Sequence, residues 1–347
     1  MRGIVQPRGE ISAALLARLQ EDVGPVELGP LPTVADPLGD EDLQLSLYLC
    51  YELHYRGLCG VDDRWEWEPT LLALRRQLET RFEQALLEAV PMSSVVPADH
   101  IDLALRQVSQ RDSPPLSNYI RSRATLRQVR EFLVHRSAYQ LKEADPHSWA
   151  IPRLWGRPKA ALIEIQADEY GGGRAEWIHA ELFAQAMRGL DLDRRYGAYL
   201  EVIPGVTLAT VNLMSLFGLH RRWRGAIVGH LALFEMTSSI PNRRYADGLR
   251  RLGCDDQTAL FFDEHVEADA VHENIAAVDL AGGIVSQDPT LAPSLIWGAE
   301  ALAHLDALWG AHLLSCWREE RTSLRRELVQ EPAAALSAPQ AAGTSAR

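Results

Sequence analysis

Three side chains that can bind a metal ion lie close together in sequence in the last third of the chain. His265, Asp269 and His272 are spaced by four and three residues, so on a helix their side chains lie within about 40° of one another. Two imidazoles and one carboxylate form a donor set that suits divalent iron and leaves coordination positions open for dioxygen. A single histidine on an apolar face is usually a core residue, but three such groups on one stripe favour a ligand set.

A second group of candidate ligands surrounds the triple glycine at 171–173 and comprises Asp168, Glu169, Glu176 and His179. In diiron helical bundles, each of two helices contributes a carboxylate and a histidine three residues further on. Helical spacing alone therefore selects Glu176 with His179. The glycines interrupt an otherwise helical pattern, and each costs about 1 kcal/mol relative to alanine, so a reason for the break is expected.

A third candidate segment supplies Glu143, three residues before Pro146, with Glu131 and His135 as weaker candidates a few turns earlier. Taken singly, each acidic residue could be a solvated surface group, and the glycines could be a simple kink between helices. Their combination on three helices favours a common metal site.

The elements that must position these residues are helices. Strand signals are scarce, whereas apolar residues recur at three- and four-residue spacing over long stretches. N-terminal helices are predicted at about 40–57, 69–91 and 98–110. Three helices that carry the candidate ligands are predicted at 115–145, 159–187 and 254–284, with further helices at 207–219, 224–236 and 294–328.

Composition excludes several classes of protein. The 347 residues carry a formal net charge of -12 with no basic stripe, which argues against a nucleic-acid partner. The N-terminus lacks the apolar core of a secretion signal, and the apolar stretch 202–219 is interrupted by Pro204, Gly205 and Asn212, so it favours a buried helix over a membrane span. Four widely spaced cysteines match no disulfide or thiolate motif. We expect a cytoplasmic globular protein.

Two segments, LKEADPHSWAIPRLWGRPKAALIEIQADEYGGGRAEWIHAELF and FFDEHVEADAVHE, resemble the signature segments of the heme-oxygenase-like diiron oxidases and oxygenases, a family of iron-containing redox enzymes. The resemblance spans about residues 105–325. It implies a ligand set of Glu143, Glu169, His179, His265, Asp269 and His272. The separation of Glu and His on the second helix varies in this family, so Glu176 stays an alternative to Glu169, which the motif DEYGGG favours.

The resemblance also implies the fold and the activity. We expect an all-α, heme-oxygenase-like bundle at 105–328, an N-terminal helical extension at 1–104 packed on it, and a disordered tail at 329–347. Two Fe2+ ions, with dioxygen as cosubstrate, would oxidise a small amine- or carboxylate-bearing metabolite by N-oxygenation, desaturation or oxidative C–C cleavage. No catalytic residue beyond the ligands and no other cofactor is expected, and a homodimer is compatible with the sequence. The alternative is a non-catalytic heme-oxygenase-like protein that binds a small molecule or a partner.

Overall fold

The computed structural model describes residues 5–26, 29, 31–96 and 98–328, apart from the side chains of residues 269–271. This part of the chain consists of helices and connecting loops and contains no strand, so the all-α prediction is confirmed. None of its helices is both long enough and apolar enough to cross a membrane. The predicted disordered tail at 329–347 lies outside the described residues.

Four helices precede the segments that carry the candidate ligands: α1 Glu10–Leu19, α2 Glu41–Glu52, α3 Pro69–Ala89 and α4 Ile101–Ser109. The starts of α2 and α3 follow from local chemistry. The Asp40 carboxylate accepts hydrogen bonds from the backbone N–H groups of Asp42 and Leu43, which satisfies donors that have no partner inside α2. Pro69 is the first residue of α3, where its missing N–H costs nothing.

The remaining helices are α5 Leu116–Ser122, α6 Leu126–Gln140, α7 Asp145–Ser148, α8 Gly156–Glu169, α9 His179–Gly189, α10 Gly205–Leu219, α11 Arg224–Arg251, α12 Asp256–Asn274, α13 Gly283–Gln287 and α14 Ala292–Arg318. Between α12 and α13 the chain continues as a wider π-helix, Ile275–Gly282. This π-helix packs against α8 and α11. π-Helical segments are rare and often occur near functional sites.

Several helix boundaries differ from the sequence prediction. The predicted helix at 115–145 is two helices, because Thr125 and Gln128 form reciprocal cap hydrogen bonds that start α6. Helix α11 runs to Arg251 and contains Pro241, although a proline usually ends or kinks a helix. Helix α14 ends at Arg318, and Glu320 just beyond it has a φ of 56°.

The N-terminal helices are joined to the rest of the chain by a buried ion pair. The Lys142 ammonium lies 3.1 Å from Oε2 of Glu52 in α2, and both side chains are buried. The Tyr196 hydroxyl donates to the same carboxylate oxygen. The ammonium also lies 4.1 Å from the ring centroid of Tyr55, close enough for a cation–π interaction. This pair fixes α2 beside Glu143, the residue that follows Lys142.

Candidate metal centre

Four buried side chains from different parts of the chain form a first cluster. Ligand atoms of Glu143, Glu169, His179 and His265 all lie within 4.8 Å of one another. The rings of His179 and His265 are 4.4 Å apart between centroids. Two carboxylates and two imidazoles at this separation match the donors and the spacing of a site for a transition-metal ion.

A second cluster shares one residue with the first. Ligand atoms of Glu169, Glu235 and His272 also lie within 4.8 Å of one another, and all three side chains are buried. Glu169 therefore belongs to both clusters. A carboxylate has two oxygens with about four lone-pair directions in total, so one such residue can bind two cations at once.

The triple glycine explains how Glu169 and His179 come together. Helix α8 ends at Glu169 and α9 begins at His179, so the two residues sit on separate helices. Gly171 has a φ of 68°, and a Cβ there would lie 2.6 Å from the backbone carbon of Trp177. Only glycine combines this backbone conformation with such a close approach. Glu176 lies in the short 3-10 helix Ala175–Trp177 and is exposed, and it belongs to neither cluster.

Hydrogen bonds orient two of the histidines. Nδ1 of His265 lies 2.7 Å from the carbonyl oxygen of Phe261, and a carbonyl can only accept, so Nδ1 carries the proton. Nε2 then faces Glu143, whose Oε1 is 3.6 Å away. Nε2 of His272 lies 2.9 Å from Oδ2 of Asp168, which leaves Nδ1 facing Glu235. Metal-binding histidines are commonly held in this way, with the second nitrogen on a carbonyl or carboxylate.

Burial and charge shift the pKa values of the carboxylates in different directions. Burial raises the pKa of Glu143, against the opposing effect of His265. Burial would also raise the pKa of Glu169, but His179, His265 and His272 outweigh it and lower this pKa to about 2. The shared carboxylate is therefore ionised at neutral pH, as a metal ligand must be.

Two of the histidines bind protons more tightly than usual. Burial lowers the pKa of His179, but the Glu169 carboxylate more than compensates and the pKa is raised. For His272, burial likewise lowers the pKa, and Glu235, Asp168 and Glu169 together raise it to about 9. The protons on these rings partly balance the negative charge that the carboxylates concentrate here.

Unsatisfied buried atoms show that the clusters fit metal ions. Oε2 of Glu143, Oε2 of Glu169, Nδ1 of His179 and Nδ1 of His272 are buried without a hydrogen-bond partner in the described part of the chain. Nδ1 of His179 and Oε2 of Glu169 are only 3.0 Å apart and still lack hydrogen-bond geometry. Leaving such groups unpaired costs about 1–3 kcal/mol each, and a cation between them would remove that cost. The residues present therefore fit iron.

The other candidates from the sequence have different positions. Asp269 lies in α12 between His265 and His272, but its side chain is outside the described part, so its role as a ligand stays a prediction. Glu131 is buried and accepts from the Trp317 indole and from Ser323, while His135 contacts Thr207 and Ser323. Glu131 and His135 therefore belong to a separate polar network.

Sequence reasoning missed Glu235. It was overlooked because it stands alone in the apolar run LALFEMT, with no second candidate at helical spacing. The sequence feature that could have identified it is an acidic residue within an apolar run, because a carboxylate is almost never fully buried unless it is paired or binds a metal. Helix α11 packs along α12 and brings Glu235 to His272, with Oε2 lying 3.4 Å from Nδ1.

Two cavities adjoin the clusters. The smaller has a volume of about 20 Å³ and is lined by Glu143, Glu169, Glu235 and His265, which is room for about one water molecule. The larger has a volume of about 690 Å³ and also reaches Glu143 and His265. Its size is that of a small-molecule site, and it gives access to the first cluster.

The comparisons with known proteins agree with this geometry. The sequence matches the profile of the iron-containing redox enzyme family over residues 130–307, which is more than half of the chain. The chain therefore belongs to the iron-containing redox enzyme family, and the resemblance seen in the sequence is confirmed. No curated protein matches it. The matched region contains every residue of both clusters.

Proposed function

We propose that the chain is a non-heme diiron, dioxygen-dependent oxidase or oxygenase that acts on a small amine- or carboxylate-bearing metabolite. Membership of an iron-containing redox enzyme family makes it an iron-dependent oxidoreductase. The observation that carries the finer proposal is that Glu169 belongs to both clusters, as expected for a carboxylate between two ions. N-oxygenation, desaturation and oxidative C–C cleavage are the proposed reaction types.

Each residue has a defined part in this proposal. Glu143, His179 and His265 would hold one ion, Glu235 and His272 the other, and Glu169 both, with Asp269 as a further ligand. Two ferrous ions would supply the pair of electrons with which dioxygen is activated. The protein keeps bulk water from the ligands by burying them, and Phe261 and Asp168 fix the orientation of the His265 and His272 rings.

The larger cavity supports a small-molecule substrate. It brings a ligand beside Glu143 and His265, and its aromatic wall includes Phe183 and Phe261, whose rings are 5.0 Å apart. Holding a substrate next to the reactive centre in fixed orientation is the main contribution that a protein makes to cofactor chemistry.

Anaerobic titration of the full-length chain with ferrous iron tests the proposal. We expect two ions per chain, followed on exposure to air by oxygen consumption and a transient visible absorption band. Glu169→Gln should weaken binding of both ions, whereas Glu176→Gln is the matched control and should still bind two. A folded chain that binds no iron under these conditions would instead be the non-catalytic binding protein. Retention of two ions by Glu169→Gln with loss in Glu176→Gln would overturn the assignment of the shared carboxylate.

A further inference from the structure

Two buried histidines that belong to neither cluster form a hydrogen-bonded pair. Nε2 of His147, in α7, lies 3.1 Å from Nδ1 of His230, in α11, and the two residues are 1% and 0% exposed. Burial lowers the pKa of His147 to about 4, against an opposing effect of Glu169, and holds the pKa of His230 well below its usual value. Both rings are therefore neutral at pH 7, and each carries one N–H.

One end of this pair faces the smaller cavity. His147 lines that cavity together with Glu143, Glu169, Glu235 and His265. Because its Nε2 is bonded to His230, Nδ1 is the ring nitrogen of His147 that remains for a hydrogen bond in the cavity.

Close packing holds both rings in place. A Cβ at Gly218 of α10 would lie 2.7 Å from the carbonyl oxygen of Pro146, so only glycine lets α10 approach the turn that carries His147. The His230 ring stacks on that of Phe234, one turn later in α11, with the planes 12° apart and the centroids 5.8 Å apart. The hydrogen bond between the histidines is therefore fixed by the packing of α7, α10 and α11.

The histidine pair costs stability, which indicates a role beyond packing. Nε2 of His230 is buried without a hydrogen-bond partner among the described residues. An unpaired buried group of this kind costs about 1–3 kcal/mol, whereas two apolar side chains would leave no such group.

The neutral pair has two arrangements of its protons. In the first, Nδ1–H of His230 donates to Nε2 of His147, so the proton of His147 lies on Nδ1 and points into the cavity. In the second, Nε2–H of His147 donates to Nδ1 of His230, so a bare nitrogen of His147 faces the cavity. Nε2 of His230 is unpaired in both, as an acceptor in the first and as a donor in the second, and does not distinguish them.

The carboxylates of the cavity favour the first arrangement. Glu143, Glu169 and Glu235 all line it, and their negative charge attracts an N–H and repels a nitrogen lone pair. The effect of Glu169 on the pKa of His147 has the same direction, since it favours a proton on this ring.

We propose that His147 presents Nδ1–H to the smaller cavity as a hydrogen-bond donor for a small oxygen-containing or anionic ligand of the iron centre, and that His230 is the positioning residue that fixes this tautomer. The cavity volume of about 20 Å³ suits an atom of the size of water rather than an organic substrate. A fixed N–H there stabilises negative charge on the ligand without giving up its proton. The role of donor to an iron ligand rests on the proposed function; the tautomer does not.

NMR spectroscopy measures the tautomer on the metal-free chain with isotope-labelled histidine at pH 7. Long-range proton–nitrogen correlations distinguish a proton on Nδ1 from one on Nε2, and the signals lost in His147→Phe or in His230→Phe assign them; either variant is sufficient. We expect a neutral His147 with its proton on Nδ1. In His230→Phe that proton should distribute over both nitrogens of His147, which a purely structural role of His230 does not predict. A proton on Nε2 of His147 in the unmodified chain overturns the proposal.

Azide tests the donor on the iron-loaded, air-oxidised chain, because its binding to ferric iron produces a visible absorption band. It can approach through the larger cavity, which shares Glu143 and His265 with the smaller one. His147→Phe keeps a ring but removes the donor, and it should bind iron normally because His147 belongs to neither cluster. Its affinity for azide should fall about 10- to 100-fold, as expected for the loss of a hydrogen bond to a charged group.

His312→Gln is the matched control. His312 donates from Nε2 to the carbonyl oxygen of Ser323 and lines neither cavity, so this variant should bind azide normally. Iron content is measured on the same samples. A chain that takes up no iron refutes the diiron function and this role of His147 with it. Two bound ions with unchanged azide affinity in His147→Phe, or equal weakening in His312→Gln, refute the role of His147 alone.

Discussion

Lowering the pH should weaken ferrous binding at the cluster of Glu169, Glu235 and His272, because His272 must lose a proton before it can bind metal. Its pKa is raised to about 9, and its side chain is only 1% exposed. At pH 7 the ring is two pH units below that pKa. Since one unit corresponds to about 1.4 kcal/mol, deprotonation costs about 2.7 kcal/mol, and the apparent affinity should fall roughly a hundredfold between pH 9 and pH 7.

Anaerobic calorimetry from pH 6 to pH 8.5 measures this effect. The affinity of this cluster should rise about tenfold per pH unit, and titrations in two buffers of different ionisation enthalpy should show about one proton released from His272 for each ion bound. His220→Gln, which alters a surface histidine paired with Glu79, is the control. An affinity that does not change with pH, or binding without proton release, would refute the reasoning.

The same pKa has the opposite consequence for the metal-free chain. A raised pKa in the folded state contributes stability that is fully present below the unfolded value of about 6.5 and is lost as the pH rises through about 9. The contribution of His272 to the free energy of unfolding should therefore decrease between pH 6.5 and pH 9. Urea denaturation of the apo chain with and without His272→Gln measures it; a variant effect that grows with pH would be inconsistent with this sign.

Four further substitutions are expected to have defined effects. Asp168→Ala removes the acceptor that orients His272 and should weaken ferrous binding at that cluster about 10- to 100-fold; competition with a chelator measures this, and unchanged affinity would show that the hydrogen bond is dispensable. Gly172→Ala should cost about 1–2 kcal/mol for its left-handed backbone, and Gly171→Ala clearly more because of its close contact with Trp177; equal urea midpoints would contradict the steric argument. Glu52→Gln leaves the Lys142 ammonium buried without a counter-charge and should cost about 3–5 kcal/mol, which chemical denaturation would detect.

The helical content could be predicted from local sequence patterns, whereas the choice of Glu143, Glu169 and His179 for the first cluster came from the resemblance to the family. Apolar spacing identified the helices, and the offsets from His265 to His272 placed both residues on one face of α12. Helical spacing failed at the second candidate helix. It selected Glu176, whereas one helix ends at Glu169 and the next begins at His179. Helical spacing therefore does not apply across residues 170–178.

Other features depend on contacts between distant segments and could not be predicted. Glu235 reaches the second cluster only because α11 packs against α12, and no spacing rule links it to Glu169. The contact between Arg136 of α6 and Trp309 of α14 is similar: these residues are 173 positions apart in sequence, and the guanidinium carbon lies 4.1 Å from the indole ring centroid. Neither contact leaves a pattern in the local sequence, so neither could be predicted from the sequence of this chain alone.

The ion pair between Lys142 and Glu52 limits how far the chain can be shortened. A polypeptide that began at residue 105 would lack both Glu52 and Tyr55 and would leave the ammonium beside Tyr196 without its ion-pair partner. The resulting rearrangement would start one peptide bond from Glu143. We therefore expect that trimming the N-terminal helices would disturb the geometry of the proposed ligands, even though none of the residues of these helices belongs to either cluster.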